Sequence, residues 1–399
     1  MSFAASTQAS ILPEPSADLK QHSTRLLDLL KQRIRNNGPL SFADYMEAAL
    51  YQPGLGYYSA GLHKFGAAGD FITAPELGDL FARCLANTFA PVATQLCAAG
   101  PTYEFLEIGA GSGALAADLL QQLDPLPGRY LILERSADLR EQQRQRIEAR
   151  CPQLLQRVHW LDAPPENFRG IVYANEVIDA LPIERFRIHN NSVQQQYVGL
   201  ENECLVTHWQ SAGAPVKAAV AQLQSELGYA FVGGYESELN LLLKPWLSGL
   251  LESMQQGLLL LSDYGYPRPE FYLPERDQGT LMCHYRHRAH TDPFFWPGLQ
   301  DLTAFVDFTA VAEAGDGVNG WQLTGYTSQA DFLFDSGLAE IMQTEVLDNF
   351  RRQLQLAGQI KTLTLPAEMG TRFQFMGFDR GIDAENLPGF GGSDWRHRL

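Results

Sequence analysis

Two short stretches hold residues whose types and spacing can do chemistry. The first is Glu107-Ile-Gly-Ala-Gly-Ser-Gly113. Gly109, Gly111 and Gly113 let a backbone turn sharply and approach a ligand closely, and a helix that follows aims its N-terminal amides at that ligand. Glu107 stands just before the first glycine. A carboxylate there opposes a pyrophosphate and suits a cationic amino acid that carries a sulfonium. The second stretch is Asn175-Glu176-Val-Ile-Asp179, two carboxylates and an amide. Such a set can orient a guanidinium bidentately and hold its charge while a nitrogen attacks. A guanidinium needs that help, because a pKa above ~12 forbids simple deprotonation in water. A purely local role is also open, with Asn175 capping a short helix and Asp179 in its first turn.

These residues need elements to position them. From about residue 101 short apolar runs alternate with helical periodicity. Strands are expected over Tyr103–Ile108, Arg129–Leu133, Val158–Leu161, Ile171–Ala174 and Gly257–Ser262, and helices over Leu115–Leu123 and Leu139–Arg150. Short apolar strands joined by helices predict an α/β fold: a mostly parallel, Rossmann-like sheet covered on both faces. Ligands bind such sheets at the carboxyl ends of the strands. Glu134 ends the second strand, 21 positions after Gly113, where an acid hydrogen-bonds ribose hydroxyls. Asp162 follows the third strand, within reach of an adenine edge. Asp263 and Tyr264 end the fifth, where they line an acceptor channel or pack beneath the C-terminal region. Gly109-x-Gly111-x-x-Ala114 also fits the looser dinucleotide fingerprint, so a nicotinamide dehydrogenase stays open on these residues alone.

Around this core, residues 1–100 are expected to form an N-terminal helical and lid region. Ser41 and Asp44 are placed like a capping box, and Thr73 and Glu76 like a second one that opens a helix to about Ala90. Asp70 and Phe71 sit in a glycine-rich loop that can close over a cofactor. The core, 101–266, is interrupted at about 184–256 by an insertion: an antiparallel meander over 184–209 with a turn at Asn190-Asn191, then an amphipathic helix over Glu238–Met254. A C-terminal α/β substrate lobe, 267–399, completes the chain.

Composition narrows the function classes. The formal net charge is −16, which disfavours a nucleic-acid partner. The five cysteines include no C-x-x-C pair, an arrangement unlike a disulfide framework or thiolate zinc site and suited to a reducing compartment. Cys283-His284-x-x-His287-x-x-His290 lacks zinc spacing, and Arg286 and Arg288 would repel a cation, so no metal is expected. No apolar run approaches the ~18 residues of a membrane span. The first residues have no basic or apolar leader pattern, and no arginine precedes Arg25. The expected location is the bacterial cytoplasm, or the mitochondrial matrix only if a transit peptide has been removed.

Several segments, in order, carry a resemblance more specific than the glycine turn. They are Gly38–Met46, Gly69-Asp-Phe-Ile-Thr-Ala-Pro-Glu76, Glu107–Gly113, Ala174-Asn-Glu-Val-Ile-Asp-Ala-Leu-Pro182, Asp263-Tyr-Gly265 and Asp301-Leu-Thr-Ala-Phe-Val-Asp-Phe308. Over about Gly38 to Phe378 the sequence resembles the MidA-like family of class I methyltransferases, relatives of the mitochondrial complex I assembly-factor arginine methyltransferase. The resemblance implies S-adenosyl-L-methionine as cofactor, with Asp70, Glu107, Gly109, Gly111, Gly113, Glu134 and Asp162 around it. It implies methyl transfer to an arginine of a protein, a respiratory-chain subunit in the best-known member, with Asn175, Glu176 and Asp179 at the acceptor. Phe305 departs from the family pattern, which has histidine there. Two alternatives stand beside this expectation: a small-molecule methyltransferase of the same fold, and a client-binding assembly factor with a vestigial cofactor site.

Overall fold

The computed structural model describes residues 12–60, 73–344 and 350–399. The central sheet has seven main strands: β1 (Glu104–Ile108), β2 (Arg129–Leu133), β3 (Val158–Leu161), β4 (Phe168–Asn175), β5 (Met254–Tyr266), β6 (Gln322–Ser328) and β7 (Phe373–Arg380). Their order is β3-β2-β1-β4-β5-β7-β6. The first five pair in parallel and β7 runs antiparallel to both neighbours. The strand order reverses between β1 and β4, which opens a crevice at their carboxyl ends. The two chemical stretches of the sequence lie there.

Period-two alternation divides the core between the faces. Ile171, Tyr173, Leu258 and Leu260 pack into one apolar layer with the helix Leu80–Ala99. Val172, Ala174, Leu259 and Leu261 pack into the other, against the helices Leu243–Ser253 and Phe308–Asp316. Both faces are covered, so Leu258–Leu261 reads as a continuous apolar run rather than an alternating one.

The expected insertion meander forms as Glu184–His189, Ser192–Glu201 and Cys204–Ser211. Asn190 and Asn191 turn it with φ of 48° and 57°, the positive angles that a tight primed hairpin turn requires. Its sheet also takes in Leu40–Ser41 and Glu236–Leu239. Residues expected in a C-terminal lobe join the main sheet as β6 and β7. Met282–Tyr285, Arg288–His290 and Asp301–Thr303 make a small third sheet that packs on the N-terminal helices Ala17–Asn37 and Phe42–Tyr51 through Cys283 and Leu302.

Two expected elements are corrected. The helix placed over Glu238–Met254 spans Leu243–Ser253. Glu236–Leu239 instead pairs with Glu184–Arg187, and Met254 opens β5, because strand partners distant in the chain outweigh local helical periodicity. The capping box expected at Thr73 does not form: Thr73 makes no side-chain cap. The helix breaks at Gly78, φ 144°, and resumes over Leu80–Ala99. Ser41 does cap its helix, accepting the Asp44 amide at 3.0 Å.

Candidate active site

The crevice opens into a cavity of about 950 Å³. One end is the turn after β1. Gly109, Gly111 and Gly113 take φ of 65°, 52° and 80°, a region in which a side chain is strained. Gly109 and Gly111 line the cavity, and Gly113 does not. Gly113 is needed for packing, since a Cβ there would lie 2.9 Å from the Gln143 backbone. Gln143 ties this end together. Its amide donates to the Gly111 carbonyl at 2.9 Å and to Glu134 at 3.1 Å, and its oxygen accepts from Trp160 at 2.8 Å. Glu134 also accepts the Ser136 amide at 2.8 Å, which presents its carboxylate at the end of β2.

Glu107 is buried on β1 and accepts the Tyr130 hydroxyl at 2.6 Å. Burial pushes its pKa up to about 7, against the opposing Tyr130 bond. A cationic ligand nearby would draw the proton off. Glu76, expected as a cap, is instead paired with Arg146 at 2.8 Å and bonded to Ser112, so it braces the glycine turn. Asp162 is not among the cavity-lining residues. Its side chain is 92% exposed and paired with Arg140 at 2.5 Å, and the same guanidinium donates to the carbonyl of Leu161, the last residue of β3. Asp70 lies outside the described residues.

The other end is the loop after β4. Asn175 donates to Glu176 at 3.0 Å. Glu176 has φ of 52°, an uncommon and strained conformation for its type. What holds it is Asp263 on β5, three residues before the end of that strand. One Asp263 oxygen accepts the Val177, Ile178 and Asp179 amides at 3.2, 2.9 and 3.2 Å, and the other accepts the Tyr264 amide at 2.9 Å. No regular helix follows Asn175, so the local capping role is replaced by this carboxylate from the neighbouring strand.

Asp179 is 5% exposed. One of its oxygens accepts the Tyr264 hydroxyl at 2.6 Å, and the other, Oδ1, has no partner among the described residues. Burial pushes Glu176 up to about 8, with the Asp179 charge adding to it. Burial also raises both Asp179 and Asp263. The four amides on Asp263 favour its charged form, against the burial and the neighbouring Asp179 and Glu176 charges that raise it.

The family model described as "Putative S-adenosyl-L-methionine-dependent methyltransferase" matches residues 84–327. The chain belongs to this family. Its cofactor is S-adenosylmethionine. A protein from Burkholderia thailandensis, crystallised bound to S-adenosyl-homocysteine, is 39% identical, with a TM-score of 0.90 over 97% of this chain and 100% of that one. Among curated relatives, protein arginine methyltransferase NDUFAF7 of Danio rerio is 29% identical over 88% of this chain and 86% of its own. The Drosophila melanogaster homologue is 26% identical over 94% and 89%. Family membership removes the dehydrogenase alternative.

The methyltransferase cavity also collects Asp301, Tyr51, Tyr58 and Trp246, to which spacing gave no role, beside Tyr264, expected at this rim, and His284. Carboxylates outnumber cations in the lining: Glu47, Glu76, Glu107, Glu134, Glu176, Asp179 and Asp301 face Arg135 and Arg372. Strand alternation divides the Cys283-His284 pair, sending Cys283 into the N-terminal core and His284 to the cavity. Among the described residues no group of three or more His, Cys, Asp or Glu is arranged to hold a metal ion.

Proposed function

We propose that this methyltransferase acts on an arginine of a protein, with Asn175, Glu176 and Asp179 at the acceptor and Glu107, Gly109, Gly111 and Glu134 around the cofactor. The observation that carries this reading is the buried Asp179 oxygen beside Glu176, which has no partner among the described residues, in an acidic cavity. Such an oxygen is costly unless a donor arrives, and a guanidinium brings several. The glycine turn fits the cofactor: a Cβ at Gly109 would project to 3.3 Å from Val177 in the cavity wall, and Glu107 and Glu134 suit an ammonium and ribose hydroxyls. The cofactor supplies a methyl group on a sulfonium, which leaves as a neutral thioether.

This chain's residues hold the acceptor in line and manage its proton. Glu176 and Asp179, ionised by the arriving cation, align a guanidinium nitrogen and stabilise the charge on it. As the nitrogen–carbon bond forms and the sulfur–carbon bond breaks, the nitrogen gains a bond and must lose a proton. The Asp179 Oδ1 atom can accept it, with Tyr264 fixing the other oxygen. Placement of this kind can remove much of the barrier of a bimolecular displacement.

The respiratory-chain acceptor implied by the resemblance, and a reducing cytoplasm suited to the chain's free cysteines, belong to the same proposal. No helix among the described residues is long and apolar enough to cross a membrane.

The test is labelling with radioactive S-adenosylmethionine in host lysate depleted of the endogenous protein. Wild type should label a protein band whose hydrolysate carries methylarginine. Glu176→Gln and Asp179→Asn should lose turnover yet keep wild-type affinity for S-adenosylhomocysteine, the signature of groups that act on the reacting nitrogen. Label confined to small molecules would move the acceptor to that class. Client binding with no label from any variant would point to a scaffold.

A further inference from the structure

The acceptor end holds a third carboxylate that the reading above leaves unused. Asp301 begins the strand Asp301–Thr303, far along the chain from Glu176, and is buried where it lines the same cavity. Both of its oxygens are oriented. The Tyr58 hydroxyl donates to Oδ2 at 2.9 Å, and the Leu302 amide donates to Oδ1 at 3.0 Å. Its negative charge disfavours ionisation of Glu176, Tyr51 and Tyr58, so it acts within the same cluster.

The aromatic pair joins Asp301 to the loop after β4. Tyr51 stacks on Tyr58 with ring centres 5.6 Å apart and planes 21° from parallel, and the Tyr51 hydroxyl donates to the Ala180 carbonyl at 3.0 Å. The Arg135 guanidinium already lies 5.3 Å above the Tyr51 ring, so this face accepts a planar cation. The independent sign of a missing ligand is again Asp179, nineteen-twentieths buried, in the cavity wall, with one oxygen lacking a donor among the described residues.

We propose that Asp301, oriented by Tyr58, is a specificity-determining residue that receives one edge of the acceptor's planar cation and selects guanidinium over primary ammonium. The proposal rests on the arginine reading and extends it to a second wall of the pocket. A guanidinium carries five N–H donors in a rigid fork, whereas an ammonium is a compact point charge with three. Carboxylates on two separate segments can share the edges of the first. An ammonium bound by one wall leaves the other unsatisfied.

Ethylguanidinium and n-propylammonium serve as probes, each titrated calorimetrically into protein saturated with S-adenosylhomocysteine. Wild type should prefer ethylguanidinium by roughly tenfold or more, the size expected from one charge-assisted hydrogen bond. Asp301→Asn should lose most of that preference while its affinity for S-adenosylhomocysteine stays unchanged. Tyr58→Phe keeps the charge and removes one orienting donor, so it should lose roughly two- to tenfold. It carries the test alone if Asp301→Asn does not fold. A wild type that binds the two probes equally, or variants that retain the full preference, would overturn the assignment.

These titrations require no methyl transfer. Methylarginine in the lysate with no effect of either variant sinks only this proposal. Guanidinium selectivity that depends on Asp301, without methylarginine in the lysate, supports the cation site and removes protein arginine as its occupant.

Discussion

At one end of the cavity Gly109 and Gly111 shape the wall within a few residues of chain. At the other, Tyr51, Tyr58, Glu176, Asp179, Tyr264 and Asp301 converge from segments up to about 250 positions apart. The first end is built mainly from backbone, with angles that only small residues adopt easily and Gln143 as a brace. The second is built from side-chain charge, buried against its own preference and held by a strained loop that Asp263 caps. A backbone-built site is broken by added volume. A charge-built site is tuned by protons. The difference predicts that lesions at the two ends have different signatures.

The largest effect should come from Gly109→Val. A branched side chain at φ of 65° is strained, and its Cβ would already be 3.3 Å from Val177. Affinity for S-adenosylhomocysteine should fall by at least roughly a hundredfold, with circular dichroism showing a folded chain. Wild-type binding by this variant would remove the glycine turn from the cofactor site and erase the contrast between the two ends.

Glu134→Ala should weaken S-adenosylhomocysteine by roughly ten- to a hundredfold, the loss expected for hydrogen bonds to a charged acceptor. The acceptor KM should not change. Because Glu134 also holds the Ser136 amide and Gln143, Glu134→Gln separates the two roles: it preserves shape and should recover part of the affinity. An alanine variant that binds normally would reduce Glu134 to a brace.

The smallest and most graded effect is that of pH. Glu176 has its pKa raised to about 8 by burial first and the Asp179 charge second, so below that pH it carries a proton that a bound cation must displace. Acceptor KM should therefore fall as pH rises toward 8, by up to about tenfold per unit, and level off above it. Glu107, raised by burial to about 7, should make cofactor affinity level off at a lower pH than acceptor binding does. Glu176→Gln should flatten the acceptor profile and leave the cofactor profile in place. Identical profiles for the two ligands would mean that the ends do not titrate separately. Folding runs with the opposite sign, since a carboxylate with a raised folded-state pKa contributes stability at low pH that is lost as pH climbs toward that value.

The first five strands, the helices between them, the glycine turn and the hairpin at Asn190-Asn191 were all legible in the sequence. Their signals are local: apolar period, glycine angles and turn chemistry act between residues a few positions apart. Glu134 and the Asn175–Asp179 loop were legible for a related reason, because a parallel sheet places the carboxyl ends of its strands on one rim. The extended pairing of Glu236–Leu239 and the joining of β6 and β7 to the main sheet were not, since each depends on partners remote in the chain. Only the tertiary structure decided that Asp162 turns outward to Arg140, that Asp263 caps the loop holding Glu176, that Gln143 braces the glycine turn, and that Asp301, with Tyr58 bonded to it, lines the same cavity as Asp179. Burial, the main cause of the raised carboxylate pKa values, is set by how distant segments pack, and no spacing along the chain encodes it.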